Sequence, residues 1–221
     1  MRISGRGRGS SSNNDNNGGS NERGFTLVEI SIVLVIIGII IGAVMKGQDL
    51  IDNARSKKLA SVANSWQVLV YDYLDRAGTL PGANSASGLI DGNVAGALQA
   101  MSFTSAPPHS FNLGSILMYV YLGNDGGNNY IVLCPSVSCA TKISNTSSTG
   151  LSSLKFFQSF DTAVDGSANP TLSAGGLVYG MSAAPNVSAE SNWSATGITV
   201  ATSGTDWLSN GNLYGALMLL K

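Results

Sequence analysis

The sequence predicts an α+β protein: one long N-terminal helix whose second half packs on an antiparallel β-sheet head. Three observations carry that prediction. The only ionisable side chain in residues 25–45 is Glu29, in an otherwise apolar run. Residues 46–77 continue without proline, and their apolar positions recur every three or four residues, the mark of a helix with one buried face. After Ala77 the chain breaks into short runs rich in β-branched and aromatic residues, bounded by Gly, Asn and Ser.

A chain of 221 residues, 43% of them hydrophobic, has room for one apolar anchor and one soluble domain with its own core. Net charge is -1, and the 12 basic residues are scattered apart from a small cluster at Arg55, Lys57 and Lys58. Such a distribution provides no nucleic-acid surface, so no nucleic-acid partner is expected.

Residues 1–24 carry Arg2, Arg6, Arg8 and Arg23 against Asp15 and Glu22, and are otherwise Gly, Ser and Asn with few apolar residues. They are too polar to order themselves. A secretory signal is cut after its apolar segment. Here the order differs, because Gly24 directly precedes the apolar segment, so a peptidase acting on this chain would cut ahead of it.

At 1.5 Å per residue, residues 25–45 make a helix of about 31 Å, which matches a bilayer core. A buried helix of a soluble domain is the alternative. With basic residues on one side, the positive-inside rule places the leader in the cytoplasm and the bulk of the chain outside it. A carboxylate at bilayer depth costs roughly 2.5 to 3.5 kcal/mol on insertion scales, so Glu29 calls for a partner. Gly38 and Gly42 form a GxxxG pair that permits close helix approach or local melting, although glycine is also common in membrane helices. The amphipathic stretch, residues 46–77, extends this helix to about 53 residues and roughly 80 Å, with Gly78 as its stop.

Residues 78–221 form the head. "IDGNVAGALQAMS" predicts a short helix beginning near Asp91, and "LKFFQSFDTAV" leans towards helix over strand. "SILMYVYLG", "NYIVLC", "GGLVYGMSA", "GITVATS" and "LYGALMLL" predict strands. Cys134 and Cys139 are the only cysteines; outside the cytoplasm they favour a disulfide closing a small loop, with free thiols or half of a metal site as alternatives. Structural zinc would need two further ligands, and the chain holds one histidine, His109, in an expected exposed loop. A Ser-His or Cys-His catalytic arrangement would rest on that residue alone, so no enzymatic activity and no catalytic residue is expected. Trp66, Trp193 and Trp207 read as core or adhesive surface.

The segment "RGFTLVEISIVLVIIGIIIGAV" resembles the N-terminal signature of bacterial type IV prepilins and of the related pseudopilins of type II secretion. The resemblance implies a pilin-like fold and cleavage by prepilin peptidase between Gly24 and Phe25, with N-methylation of Phe25. It also implies that the apolar helices bundle into a filament core. By position Glu29 is the motif's glutamate, and the α-amino group created at Phe25 is its natural counter-ion. The partners implied are the peptidase/N-methyltransferase, other pilin or pseudopilin subunits, an inner-membrane assembly platform and the lipid bilayer.

Three features depart from the common pilins: the long leader, Lys46 and Gly47 where many have a proline, and the close spacing of the cysteines. "LPGANS" and "FDTAVDGSANPTLSAGGLVYG" resemble the LPGD-type and DDG-type turns of some prepilin-like proteins, with Ala83 and Val164 in place of the expected acids. Because some pseudopilins bind calcium, Asp125, Asp161 and Asp165 are candidate ligands, but Asp, Asn and Gly also dominate ordinary turns. No other cofactor is expected. The expected function is a type IV pilus-like filament subunit, at the inner membrane and then in a pilus at the cell surface. A pseudopilin in a periplasmic pseudopilus is one alternative, and an unprocessed single-pass binding protein another.

Overall fold

The computed structural model describes residues 25–103, 106–171, 175–187, 189–204, 206–209 and 211–221. The expected leader, residues 1–24, lies outside them. The chain divides into two compact units, residues 1–45 and residues 46–221. One helix, α1 (Leu27–Ala77), contributes to both.

Within the first unit α1 exposes its apolar side chains all round, from Leu27 at 89% to Met45 at 65%. The helix is long and apolar enough to cross a membrane. It begins two residues after the expected start, because Thr26 and Glu29 close a reciprocal cap around its first turn. Ser31, the other polar residue of the run, returns its hydroxyl to the Val28 carbonyl at 2.8 Å.

In the second unit α1 becomes amphipathic as expected. Leu59, Ala63, Trp66, Val70 and Tyr73 are buried at three- and four-residue spacing, while Lys57, Asn64 and Val68 stay exposed. Two shorter helices follow, α2 (Val94–Ala100) and α3 (Ser148–Asp165). The N-cap of α2 is Asn93, whose side chain accepts from the Gly96 N–H, so the helix starts later than the expected position near Asp91. α3 is longer than the apolar run that predicted it, since Ser147 caps it upstream and Gly166, in the left-handed conformation, closes it.

The strands are β1 (Ser110–Leu113), β2 (Ile116–Asn124), β3 (Asn129–Cys134), β4 (Val178–Met181), β5 (Ser194–Ala195) and β6 (Gly215–Leu220). The sheet order is β1-β2-β3-β6-β4, antiparallel throughout, and β5 adds two parallel pairs to β2. "GITVATS" does not form a regular strand; Val200 makes one isolated bridge to Met181. β1 and β5 add to the expected strands; neither carries a β-branched or aromatic run long enough to predict it.

Alternation along the strands separates two cores. Val120, Leu122, Ile131, Leu133, Ala216 and Met218 face Trp66 and Val70 of α1 and Leu154, Phe157 and Phe160 of α3. Tyr121, Tyr130, Val132, Cys134, Tyr179, Met181 and Leu217 face the opposite way and form a second core with Ala195, Ile198 and Val200. The sheet is therefore buried on both sides, which explains why β3 and β6 read as continuous apolar runs. At Gly123 a Cβ would meet the Ala195 carbonyl oxygen at 1.9 Å, so the parallel approach of β5 requires glycine there.

Candidate functional site

The candidate site is the start of α1. Glu29 lies at the third position of the helix, where its carboxylate Oε2 accepts from the Thr26 N–H at 2.8 Å and from the Thr26 hydroxyl at 2.9 Å. The Thr26 hydroxyl oxygen in turn accepts from the Glu29 N–H at 3.3 Å. Threonine followed three residues later by glutamate is a capping-box signature. The signature is present in "FTLVE", so part of the partner that Glu29 calls for lies in its own turn. The carboxylate thus has a local partner, while its other oxygen makes none of these bonds and remains available to a cation.

Phe25 precedes the helix and is 82% exposed. Gly24, the expected residue before the cut, lies outside the described residues. A Cβ built at Gly38 or at Gly42 would meet nothing within 4 Å, so the backbone at these two positions is open to close approach.

The head places the remaining candidates in structural work. Cys134 and Cys139 form a disulfide with 5.4 Å between Cα atoms, both residues fully buried. It clips a short loop whose Ser138 N–H donates to the Tyr121 hydroxyl at 2.9 Å. Asp125 caps the β2–β3 turn: its Oδ1 accepts from the Gly127 and Asn128 N–H groups at 2.8 and 2.7 Å, and its Oδ2 from the Tyr130 hydroxyl at 2.8 Å. Burial works against its ionisation, but these bonds outweigh it and hold the carboxyl below its ordinary value.

Asp165 Oδ2 accepts from the Leu177 and Val178 N–H groups at 2.7 and 2.9 Å, which fixes the start of β4. Asp161 is buried, and its Oδ2 accepts from the Trp207 indole N–H at 2.7 Å. Burial pushes its carboxyl up to about 7 against that hydrogen bond, and the neighbouring Asp165 charge adds to the rise. Among the described residues no three His, Cys, Asp or Glu side chains converge to hold a metal ion.

His109 is half-buried, contrary to the exposed loop expected for it. Its ring stacks on Trp193 at 5.2 Å and meets Tyr121 edge-on at 4.9 Å. Burial lowers its pKa, opposed by the Glu190 charge. Trp66 and Trp207 are core residues, whereas Trp193 is half-buried.

A long helix, apolar and exposed in the first unit and packed in the second on an antiparallel sheet, defines a pilin-like α+β fold whose N-terminal helix is long and apolar enough to cross a membrane. Residues 19–45 match the family described as the Prokaryotic N-terminal methylation motif. The chain thus carries a prepilin-type cleavage and methylation motif, which implies processing by prepilin peptidase. No curated protein and no solved structure gives a match to the chain.

Proposed function

We propose that the chain is the structural subunit of a type IV pilus-like filament. Prepilin peptidase cuts it between Gly24 and Phe25, the new Phe25 amine is methylated, and subunits polymerise through residues 25–45. The observation that carries this reading is the methylation motif lying on an apolar helix in which Glu29 is the only ionisable side chain. Before assembly the Thr26 cap accompanies that carboxylate in lipid. In the filament the Phe25 amine of another subunit takes up its remaining valence, and this pairing sets register. Gly38 and Gly42 let neighbouring helices approach closely.

The processed subunit sits in the inner membrane with its head outside the cytoplasm, where an assembly platform extracts it into a pilus at the cell surface. The head, residues 78–221, then determines what the filament touches. Mass spectrometry of the membrane-extracted chain tests the reading. A terminus at Phe25, about 14 Da heavier than the unmodified residue as one added methyl group requires, is expected. A terminus at Met1 in cells containing the peptidase would sink it. Electron microscopy of shed filaments then distinguishes a pilus from a pseudopilus, in which protein secretion and not filament yield would fall on deletion.

A further inference from the structure

We propose that His109 is a proton-operated latch on the segment 190–195, closed while its imidazole is neutral and released when the ring takes up a proton. The latch belongs to the head alone and operates whether or not the chain polymerises.

The segment is thinly attached. Its turn, Glu190–Asn192, leads into β5, which adds two parallel pairs to β2, Leu122 with Ser194 and Gly123 with Ala195. The Trp193 carbonyl accepts from the Leu122 N–H at 2.9 Å. Rings supply a further hold. The His109 imidazole lies on the Trp193 indole at 5.2 Å, with 8° between the planes, and Trp193 meets Trp66 of α1 edge-on at 5.9 Å. His109 is itself fixed through its backbone, its carbonyl accepting from the Val120 N–H at 2.8 Å. The Pro108 carbonyl beside it accepts from the Trp66 indole N–H at 3.3 Å. A rigidly placed imidazole therefore supports the only aromatic side chain of the segment.

The surroundings of that imidazole suit its neutral form. Tyr121 and Tyr119 of β2 meet it edge-on at 4.9 and 5.9 Å. Its Nε2 atom is buried and has no hydrogen-bond partner among the described residues. A protonated imidazole carries N–H groups on both nitrogens, so Nε2 becomes a charged donor without an acceptor. The indole face attracts a cation, but that attraction does not replace the hydrogen bond to water that a sealed N–H gives up.

The titratable groups facing the ring are the phenols of Tyr119 and Tyr121 from β2 and the Glu190 carboxylate from the segment. The Tyr121 hydroxyl already accepts from the Ser138 N–H at 2.9 Å, and Glu190 is exposed. Burial lowers the pKa of His109, and the Glu190 charge opposes it with the smaller effect. A protonated ring gains by turning out of its stack towards water and that carboxylate, which leaves Trp193 unsupported and loosens β5. Because the closed form holds the lowered value, closure is complete above the ordinary imidazole pKa and is lost as pH falls.

The test uses the full chain in lipid nanodiscs and a glutamyl endopeptidase, for which Glu190 is the single glutamate in residues 78–221. Cutting there requires the segment to open, so its rate follows the population of the open form. Each rate is divided by that of His109→Phe at the same pH. This variant keeps a ring on Trp193, cannot titrate, and cancels the pH dependence of the protease. The ratio should be near one at about pH 7.5 and rise to about tenfold at about pH 5, with the near-ultraviolet circular dichroism of the head unchanged. Hydrogen exchange at the imidazole carbon of the wild-type chain, read by mass spectrometry, follows the titration without any variant, because His109 is the sole histidine. Its midpoint should fall below the ordinary imidazole value. A ratio that stays at one, or a midpoint at or above that value, would overturn the proposal. So would loss of the circular dichroism signal in step with cutting, which marks unfolding of the whole head.

Discussion

Asp161→Asn should remove a pH dependence that the wild-type head carries. Asp161 is buried, its carboxyl is pushed up to about 7, and its Oδ2 accepts from the Trp207 indole. Because this folded-state value lies above the unfolded one, the native chain holds a proton that the unfolded chain releases. Stability from this source is complete below the unfolded pKa and is lost as pH rises through about 7. One differentially bound proton changes stability by about 1.4 kcal/mol per pH unit, so over the two units between about pH 5 and the folded-state value the loss by pH 8 is between about 2 and 3 kcal/mol. Asparagine keeps an acceptor for Trp207 and offers an N–H to the Asp165 carboxylate, but cannot ionise. The variant should match wild type near pH 5 and exceed it near pH 8. His109, lowered by burial, works in the opposite sense, its stabilisation being lost as pH falls, but it is present in both proteins and cancels in the difference. Urea unfolding of the full chain, followed by tryptophan fluorescence, measures both curves. Parallel curves for the two proteins would refute the assignment of a protonated Asp161.

Glu29→Gln should be cut and methylated normally yet yield few filaments, since a neutral amide cannot neutralise the Phe25 amine; filament yield equal to wild type by shear preparation would remove the register argument. Thr26→Val should lower the yield less than Glu29→Gln, because it removes only one side of the cap, and the two yields measured side by side decide the order. Replacing Cys134 and Cys139 together by serine should lower head stability by about 2 kcal/mol for so short a closed loop, read as a reduced urea midpoint. Gly123→Ala should release the β5 segment from β2, visible as faster amide exchange at Leu122, whose N–H bonds to the Trp193 carbonyl.

The parts of the fold that could be read from the sequence are those where one periodicity dominates. The change from an unbroken apolar run to three- and four-residue spacing located both halves of α1, and "NYIVLC" matched β3 residue for residue. β5 was illegible because two residues carry no period, and it exists through the fit of Gly123 against the Ala195 carbonyl. "GITVATS" has strand propensity but lies across the sheet's second face, where burial of Ile198 and Val200 needed no regular ladder. At the candidate site Glu29 is legible as the lone charge of an apolar run, whereas the role of Thr26 is not, because a threonine before a helix has no distinct signal until its partner three residues on is considered. The partial burial of His109 is illegible for a different reason: its ring stacks on Trp193, more than eighty residues away, which no local pattern reveals.

The two outer strands bear on how such a subunit can associate. In β4 the Gly180 N–H bonds to the Pro170 carbonyl and the Gly180 carbonyl accepts from the Ala201 N–H, so that rim is already occupied by its own chain. β1 has only four residues, and the Lys58 ammonium caps the Asn112 carbonyl at 3.0 Å. Short outer strands, lysine and covering loops are the devices that keep a sheet from recruiting a foreign strand. Association by strand addition, the route to uncontrolled fibres, is blocked at these positions. Contacts between copies are thereby left to side-chain surfaces, which can be reversed without tearing a β-ladder.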